Sequence, residues 1–521
     1  MSLSMRSDAE HNVSSFVLAE EIDPNSPCVT CEGVTLSRGE VRERAQRFRE
    51  RLESCRIRPG DLVAVHLPNG LEVVSVILGA WSAGVAIAPV NTALGMKDRD
   101  KALRVLDPAA VITAPDHAEG IAAVLPDAVV IAAGTWATYG RAERSDDATT
   151  APAGTALVLH TSGTSGAPKA VLLSHEALTG ALESVLRMLG ARASQGGGGA
   201  PNLVAFPLAH VAGLYNVLLA FRNGREVILM PRFAVESFVR IVKERTIRSV
   251  VLNPTMIQMV LDAEVPAEDL ADLRFVRSGS APLPARVARR FFEAYGIAVL
   301  NAYGQTETAG EVIGWNAADL KAFGSTKVGS VGRPHPGVAV LFIDENLTPV
   351  PAGDVGELCV RTPFGMTGYL AGTADEKYLE GGYLRTGDLG YLDDDGFVWL
   401  VGRRTDVIVC GGFKILPEEV EDTLREHPSV LDVMVAGLPD DRLGEAPHAF
   451  VVPTNDAAAE ATDALEQTLI THVRSQLSHY KAPRAVHLVP ELPRNVSGKV
   501  MRAEATRLLP SPSFDSGSEL S

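Results

Sequence analysis

The sequence predicts an α/β protein with a large multi-layer body, residues 1–402, and a smaller α+β C-terminal domain, residues 406–521. Three observations carry this reading. Strand-like and helix-like segments alternate along most of the chain, the pattern that layers helices against a mainly parallel sheet. From 338 to 401 the texture changes to short strands and turns, which reads as a small β-rich subdomain. Past Gly402-Arg403-Arg404-Thr405, about 115 residues carry their own strand–helix pattern, enough for a compact lobe.

The elements follow in order. Residues 62–67 read as a strand, 71–82 as a helix and 85–88 as a strand. The whole stretch 73–90 is apolar and uncharged for 18 residues, the length at which a membrane span comes into question. Gly79, Gly84 and Pro89 interrupt it, so a buried helix turning at Gly84 into a strand is expected. Strands are expected at 128–133, 155–159, 203–206, 226–230 and 250–252, with helices at 174–189 and 235–245. The segments 141–154 and 195–202 read as connections, the latter with four consecutive glycines. In the C-terminal domain 417–425 is a helix, 432–436 and 449–452 are strands, and 465–477 is a helix. Leu465, Leu469, Val473 and Leu477 recur at every fourth position there and form one apolar face. The Ser- and Pro-rich tail after Leu509 reads as disordered.

Composition narrows the functional classes. Of 521 residues, 46% are apolar and 21% charged, which excludes a disordered, fibrous or small disulfide-stapled protein. Lys plus Arg number 48 against 64 Asp plus Glu, a formal charge of −16 that disfavours a nucleic-acid partner. Five cysteines, an odd and sparse set, read as reduced thiols of a cytoplasmic enzyme. Cys28-Val-Thr-Cys31 lacks the second pair that a structural zinc site needs, so it reads as two thiols in a strand. Residues 1–15 carry charges and no apolar run, so neither a secretory signal nor an integral membrane segment is expected.

The segment 157–171 carries the most chemistry. A strand runs into His160-Thr-Ser-Gly-Thr-Ser-Gly-Ala-Pro-Lys169, where small residues let backbone N–H groups curl around phosphate oxygens and a lysine adds charge. It lacks the Gly-Lys-Ser/Thr ending of a Walker loop. Taken alone, such a loop is also an ordinary turn.

This segment resembles the signature loop of the adenylate-forming superfamily: acyl-CoA synthetases, luciferases and peptide-synthetase adenylation domains. The resemblance implies that Thr161, Ser162, Gly163, Thr164, Ser165, Gly166 and Lys169 hold the β- and γ-phosphates of ATP. Asn301-Ala-Tyr-Gly-Gln-Thr-Glu307 resembles the second signature, with Asn301 and Gly304 in the nucleotide site. There Tyr303 lies against adenine, Thr306 touches the α-phosphate and Glu307 holds Mg²⁺; a planar base suits an aromatic face, and a hard cation suits a carboxylate. Ser278-Gly-Ser-Ala-Pro282 resembles the other adenine wall, Ser280, Ala281 and Pro282 included, with Ser280 where the family often has Gly or Ala. Tyr383-Leu-Arg-Thr-Gly-Asp-Leu389 resembles the ribose motif, whose Asp388 offers two acceptor oxygens to a vicinal diol, and Arg403 matches an arginine near the ribose or phosphates. Asp393–Asp395, by contrast, reads as a hairpin turn.

Leu492-Pro-Arg-Asn-Val-Ser-Gly-Lys499 resembles the loop of the catalytic lysine. The resemblance implies that the body holds two α/β subdomains plus the β-rich one, that 403–405 is a hinge, and that the C-terminal domain is a mobile lid. Pro207-Leu-Ala-His210 resembles the acyl-CoA synthetase form of its motif, with His210 at the carboxylate. An amino-acid substrate is disfavoured because the Asp-bearing pattern of its relatives is absent. The pocket segments 210–214, 253–258, Ala281 and 308–313 are mostly apolar or small, which suits a fatty or aryl acid. No activated nucleophile of the protein's own is evident, so the thiol acceptor comes from outside. Thr405 through Val420 resembles the face that admits pantetheine, with Gly411 and Gly412 allowing close approach. Thr405 stands at a hinge position usually Asp or Lys, and Leu443 replaces a frequent Trp. The implied reaction is ATP-dependent formation of an acyl-AMP, then transfer to CoA. The alternative acceptor is phosphopantetheine on a carrier protein, or a partner that takes the acyl-AMP.

Overall fold

A computed structural model describes residues 12–161, 169–190, 199–372, 374–454, 462–495 and 499–509. The chain divides into two compact units. The first takes the chain up to Gly353 with Cys359–Thr386 and Leu392–Trp399; the second takes Asp354–Leu358, Gly387–Tyr391 and the chain from Leu400 on.

The first unit is layered α/β with two large sheets. One runs Gly368–Tyr369, Lys169–Ser174, Thr155–Thr161, Ala86–Pro89, Leu62–His66, Ala110–Thr113, Val129–Ala132, Thr138–Gly140 in spatial order. Its middle strands are parallel and buried, and antiparallel strands close both edges. The expected helix at 71–82 is present as Leu71–Ser82 and is buried from Val73 to Trp81. Gly84, at φ +71°, turns the chain from that helix to the strand Ala86–Pro89. The long apolar stretch is therefore core. Among the described residues no helix is long and apolar enough to cross a membrane.

The second sheet runs Ala298–Asn301, Phe275–Ser278, Ser249–Leu252, Asn202–Val204, Val227–Leu229, Pro27–Cys31, Val34–Ser37. The last two strands form an N-terminal hairpin whose first strand pairs parallel with Val227–Leu229. Cys28 and Cys31 lie in it as free, buried thiols, and burial pushes the Cys28 thiol up to about 12. The helix Arg38–Ser54 that follows is started by a capping box, Ser37 accepting from the Glu40 N–H while the Glu40 carboxylate accepts from the Ser37 N–H. Helices Val235–Arg245, Pro254–Asp262 and Ala285–Tyr295 pack through Phe238, Val242, Ile257, Val260, Val287 and Phe291 on one face of the sheet.

The section 339–403 is β-rich, as the texture of the sequence predicts, with short strands around one of ten residues, Tyr383–Leu392. Asp393–Gly396 forms the expected turn, with Lys327 paired to Asp393 at 2.9 Å and to Asp395 at 2.6 Å. In the second unit the helices Pro417–Arg425 and Thr462–Gln476 pack on a sheet centred on Val430–Asp440 and Gly444–Pro453. Leu465, Leu469 and Val473 enter its core, with Leu477 at the margin.

One buried ion pair fastens the connection 141–154 to the first sheet. Asp61, 1% exposed, accepts from Arg144 Nε at 2.7 Å and from the Arg58 N–H at 2.7 Å. Asp61→Ala leaves a buried guanidinium without its counter-charge, so the first unit is expected to lose about 3–5 kcal/mol. Denaturant unfolding checks this, and a loss below about 1 kcal/mol, the scale of an exposed pair, contradicts it.

Candidate active site

The strands Phe275–Ser278 and Ala298–Asn301 are parallel neighbours, and their carboxyl ends lead into the segments with chemical signatures. In open α/β sheets this is the edge where ligands bind. After Asn301 the chain forms the strand Tyr303–Gln305, a 3₁₀ turn Thr306–Thr308 and the returning strand Gly310–Gly314. The hairpin is held tightly. Thr308 Oγ1 donates to the Gly310 carbonyl at 2.8 Å and accepts from the Gln305 N–H at 2.9 Å. Gln305 Nε2 donates to the Tyr303 hydroxyl and to the Thr386 carbonyl, each at 3.0 Å, which fixes the buried Tyr303 ring.

Glu307 is buried beside Thr306 on this turn, and Lys377 Nζ lies 3.4 Å from its carboxylate. Burial pulls the Lys377 ammonium down, but Glu307 and Tyr369 together, through charge and hydrogen bonding, outweigh it and hold Lys377 above the ordinary lysine value. Lys169 opens the strand Lys169–Ser174, exposed, with Nζ 5.1 Å from the centre of the Tyr369 ring. Thr161 ends the strand Thr155–Thr161 opposite Lys169. Ser162, Gly163, Thr164, Ser165 and Gly166 lie outside the described residues. Mg²⁺ is held characteristically by one or two carboxylates plus substrate phosphates. Glu307 fits that donor set, with Lys377 as an internal cation that competes for it. Among the described residues no cluster of three or more His, Cys, Asp or Glu forms a ready-made metal cage.

Ser280 is exposed and adopts φ +70°, the left-handed region where glycine is at ease, which gives a physical reason for a small residue at this position. Ala281 and Pro282 follow it on the same turn. Asn301 is buried, its Oδ1 accepting from the Ala302 N–H at 3.1 Å.

His210 caps the helix Val211–Arg222. Its Nδ1 accepts from the Ala212 N–H at 3.2 Å, so the ring proton sits on Nε2. Burial lowers the His210 pKa, which keeps the ring neutral. The first turn of that helix and the hairpin 303–314 line one cleft together with Val251, Ser278 and Gly279. It encloses about 600 Å³ of empty space, the part open to solvent included.

The sequence reading misses the charged groups on this cleft's wall. Arg277, nine-tenths buried, donates to both carboxylate oxygens of Glu311. His335 Nε2 is 3.2 Å from the same carboxylate. Burial works against ionisation of Glu311, but Arg277 and His335 outweigh it and hold its carboxyl below the ordinary value. Tyr215, buried, donates to the Ala181 carbonyl at 3.1 Å, and its ring lies against Gly310. Arg277 interrupts the strand Phe275–Ser278, and a charge inside a buried strand is the signal that was available.

In the second unit Arg403 Nε pairs with the buried Asp388 at 2.9 Å. Lys499 sits in a hairpin whose Asn495 accepts from the Lys499 N–H at 2.9 Å. Burial, and after it the like charge of Arg403, lowers its ammonium below the ordinary lysine value, while Asp388 and Asp406 act in the opposite sense. Gly411 and Gly412, at φ +57° and +87°, form the turn between Ile408–Cys410 and Phe413–Ile415. The Gly411 N–H donates to the Leu443 carbonyl at 2.8 Å.

Comparison with known proteins gives consistent matches along the chain. Residues 19–370 match the family model of AMP-binding enzymes, and residues 419–499 match that of the AMP-binding enzyme C-terminal domain. Feruloyl-CoA synthase of an Amycolatopsis species is 32% identical over 93% of this chain and 96% of its own. The fatty acid–[acyl-carrier-protein] ligase ScoC of Streptomyces coeruleorubidus is 29% identical over 92% and 93%. The solved structure of o-succinylbenzoate CoA synthetase (MenE) of Bacillus subtilis, in complex with its acyl-adenylate intermediate, superposes with a TM-score of 0.80 at 26% identity. It covers 95% of this chain and 97% of that one.

Proposed function

We propose, from the premise that this chain belongs to the AMP-binding enzyme family and is an AMP-forming acid–CoA ligase, that it activates a fatty or aryl carboxylic acid. The observation that carries this reading is the convergence of the helix capped by His210 and the hairpin bearing Tyr303, Thr306 and Glu307 on one cleft.

The acid's carboxylate attacks the α-phosphorus of ATP, pyrophosphate leaves, and a mixed anhydride forms. A bare carboxylate resists thiol attack because it is anionic and its oxygen leaves poorly; the anhydride removes both obstacles. The neutral His210 offers its Nε2–H to the carboxylate without taking its charge as an ion pair would. Tyr303 and the strip 280–282 flank adenine, Asn301 and Gly304 complete that site, and Asp388 receives the ribose hydroxyls, oriented by Arg403. Thr306 donates to the α-phosphate. Thr161, Ser162, Gly163, Thr164, Ser165, Gly166 and Lys169 take the outer phosphates. Mg²⁺ on Glu307 would neutralise phosphate charge during the displacement. Lys499 supplies positive charge where it develops at the α-phosphate. The acyl group then passes to a thiol, with Gly411 and Gly412 beside its pantetheine arm, and AMP leaves.

Residues 403–405 are proposed as the hinge between the two domains. A second reading, transfer to a carrier-protein pantetheine, is favoured by the likeness to ScoC and by Leu443 where a tryptophan is frequent. Pyrophosphate release and thioester formation, measured across a panel of acids with CoA, with a pantetheinylated carrier and with neither, test both. Acid-dependent pyrophosphate release with CoA thioester is expected. Thioester on the carrier alone selects the second reading, and no acid-dependent release sinks both.

A further inference from the structure

The wall of the cleft holds a buried ion pair that the reaction, as described, does not use. Arg277 reaches Glu311 through Nη2 alone, and among the described residues its Nε and Nη1 have no partner. Both side chains line the cleft and are 10% and 15% exposed, so their remaining hydrogen-bonding capacity is turned over to whatever fills it. Beside them the Ser278 hydroxyl is fully buried and has no partner among the described residues. His335 braces Glu311 from the side, its Nε2 3.2 Å from the same carboxylate.

Three classes of acid tail meet this wall differently. A plain alkyl or aryl tail drives water off the pair and replaces none of its hydrogen bonds, so the polar groups are left unsatisfied. A second carboxylate would gain from Arg277 but would sit against the Glu311 carboxylate, whose charge already consumes that of the arginine. A neutral group that both donates and accepts, such as a hydroxyl or a primary amide, can accept from an Arg277 N–H and donate to a Glu311 oxygen without adding charge. Elsewhere the lining carries the polar Asn216, Ser280 and Gln305, but Val211, Ala212, Val251, Gly279 and Gly310 are apolar or small and suit the body of the tail.

We propose that Arg277 and Glu311 are specificity-determining residues that select a carboxylic acid bearing a neutral hydrogen-bonding group, a hydroxyl or amide, on the part of the tail that meets them. This rests on the reading of the cleft as the acid site and narrows the fatty or aryl class to its polar-substituted members.

The test compares kcat/KM for pyrophosphate release among acids of matched length: an aryl propenoate with and without a ring hydroxyl, and an alkanoate, its ω-hydroxy and ω-amide forms, and the corresponding dicarboxylate. The wild-type enzyme is expected to prefer the hydroxyl or amide member over its plain twin and over the dicarboxylate by at least about tenfold, since a site built to hydrogen-bond a substrate rejects the analogue that lacks the group. In the double variant Arg277→Met/Glu311→Leu, which exchanges the pair for apolar side chains, the order within each set reverses in favour of the plain tail. A purely structural ion pair would lower all rates together and leave the order intact. Wild-type preference for plain tails or for the dicarboxylate overturns the proposal while leaving the acid-ligase reading standing. Absence of pyrophosphate release with every acid overturns both.

Discussion

Replacing Lys499 with alanine is expected to slow acyl-AMP formation by about 10²–10³-fold, the usual cost of removing a group that meets charge developing in a transition state. ATP affinity should change little, because the lysine is asked to act where charge develops and not on the resting nucleotide. Thioester formation from pre-made acyl-AMP and thiol should survive, which separates this loss from a general collapse of the second unit. Pyrophosphate exchange, equilibrium ATP binding and thiol transfer from synthetic acyl-AMP measure the three quantities. Full exchange in the variant would refute the assignment. The pH profile supplies an independent check. Burial and the neighbouring Arg403 lower the Lys499 pKa, so its protonated form is lost on the alkaline side earlier than for a free lysine. Acyl-AMP formation should therefore fall off at a pH below the ordinary lysine value. A rate flat up to that value would contradict the arrangement.

The Gly304→Ala substitution is expected to be nearly as damaging, although it adds a single methyl group at an exposed position. A Cβ at 304 would stand 2.0 Å from the Gly310 carbonyl oxygen and 2.8 Å from Glu311 Cα, both backbone atoms of the facing strand. No side-chain rotation relieves that contact, so the hairpin must open. Tyr303, Thr306 and Glu307 ride on it, and a displacement of about 1 Å in groups that position a reactant costs about 10²-fold in rate. Thermal unfolding should also shift downward, since overpacking typically costs about 1–3 kcal/mol. Steady-state pyrophosphate release with saturating acid checks the first effect. Wild-type rates would show that the hairpin tolerates being spread and does not set the geometry.

Much of the fold was legible because its signals are local. The helices at 71–82, 235–245 and 417–425 coincide with the elements found, because apolar periodicity with a turn at each end suffices to mark them. The helix Arg38–Ser54 went unread although Ser37 and Glu40 carry the spacing of a capping box. The nucleotide-binding signatures were legible for a different reason. Phosphate, adenine and a divalent cation each demand particular residue types close together in one loop, so a contiguous stretch records them. His210 could be named from its motif, but the state of its ring could not, because that follows from the Ala212 N–H occupying Nδ1.

The cleft proposed for the acid followed neither rule. Arg277, Glu311 and His335 come from three elements and meet only when the strands Phe275–Ser278, Gly310–Gly314 and the residues after Arg333 are brought together. Each alone looks like an isolated charge or an ordinary histidine. The N-terminal hairpin is the same case at the level of the fold, since Pro27–Cys31 reads plainly as a strand but its parallel partner, Val227–Leu229, lies far along the chain.

Sequence by itself determined the α/β class, the order of the nucleotide motifs and the need for an outside thiol. Tertiary structure decided which strands are neighbours and what lines the cleft proposed for the acid. The physical reason is that hydrophobic period and loop chemistry are properties of consecutive residues. Pairing of charges and strands across long separations is set by what the folded core excludes from water, and that is not written in any one segment.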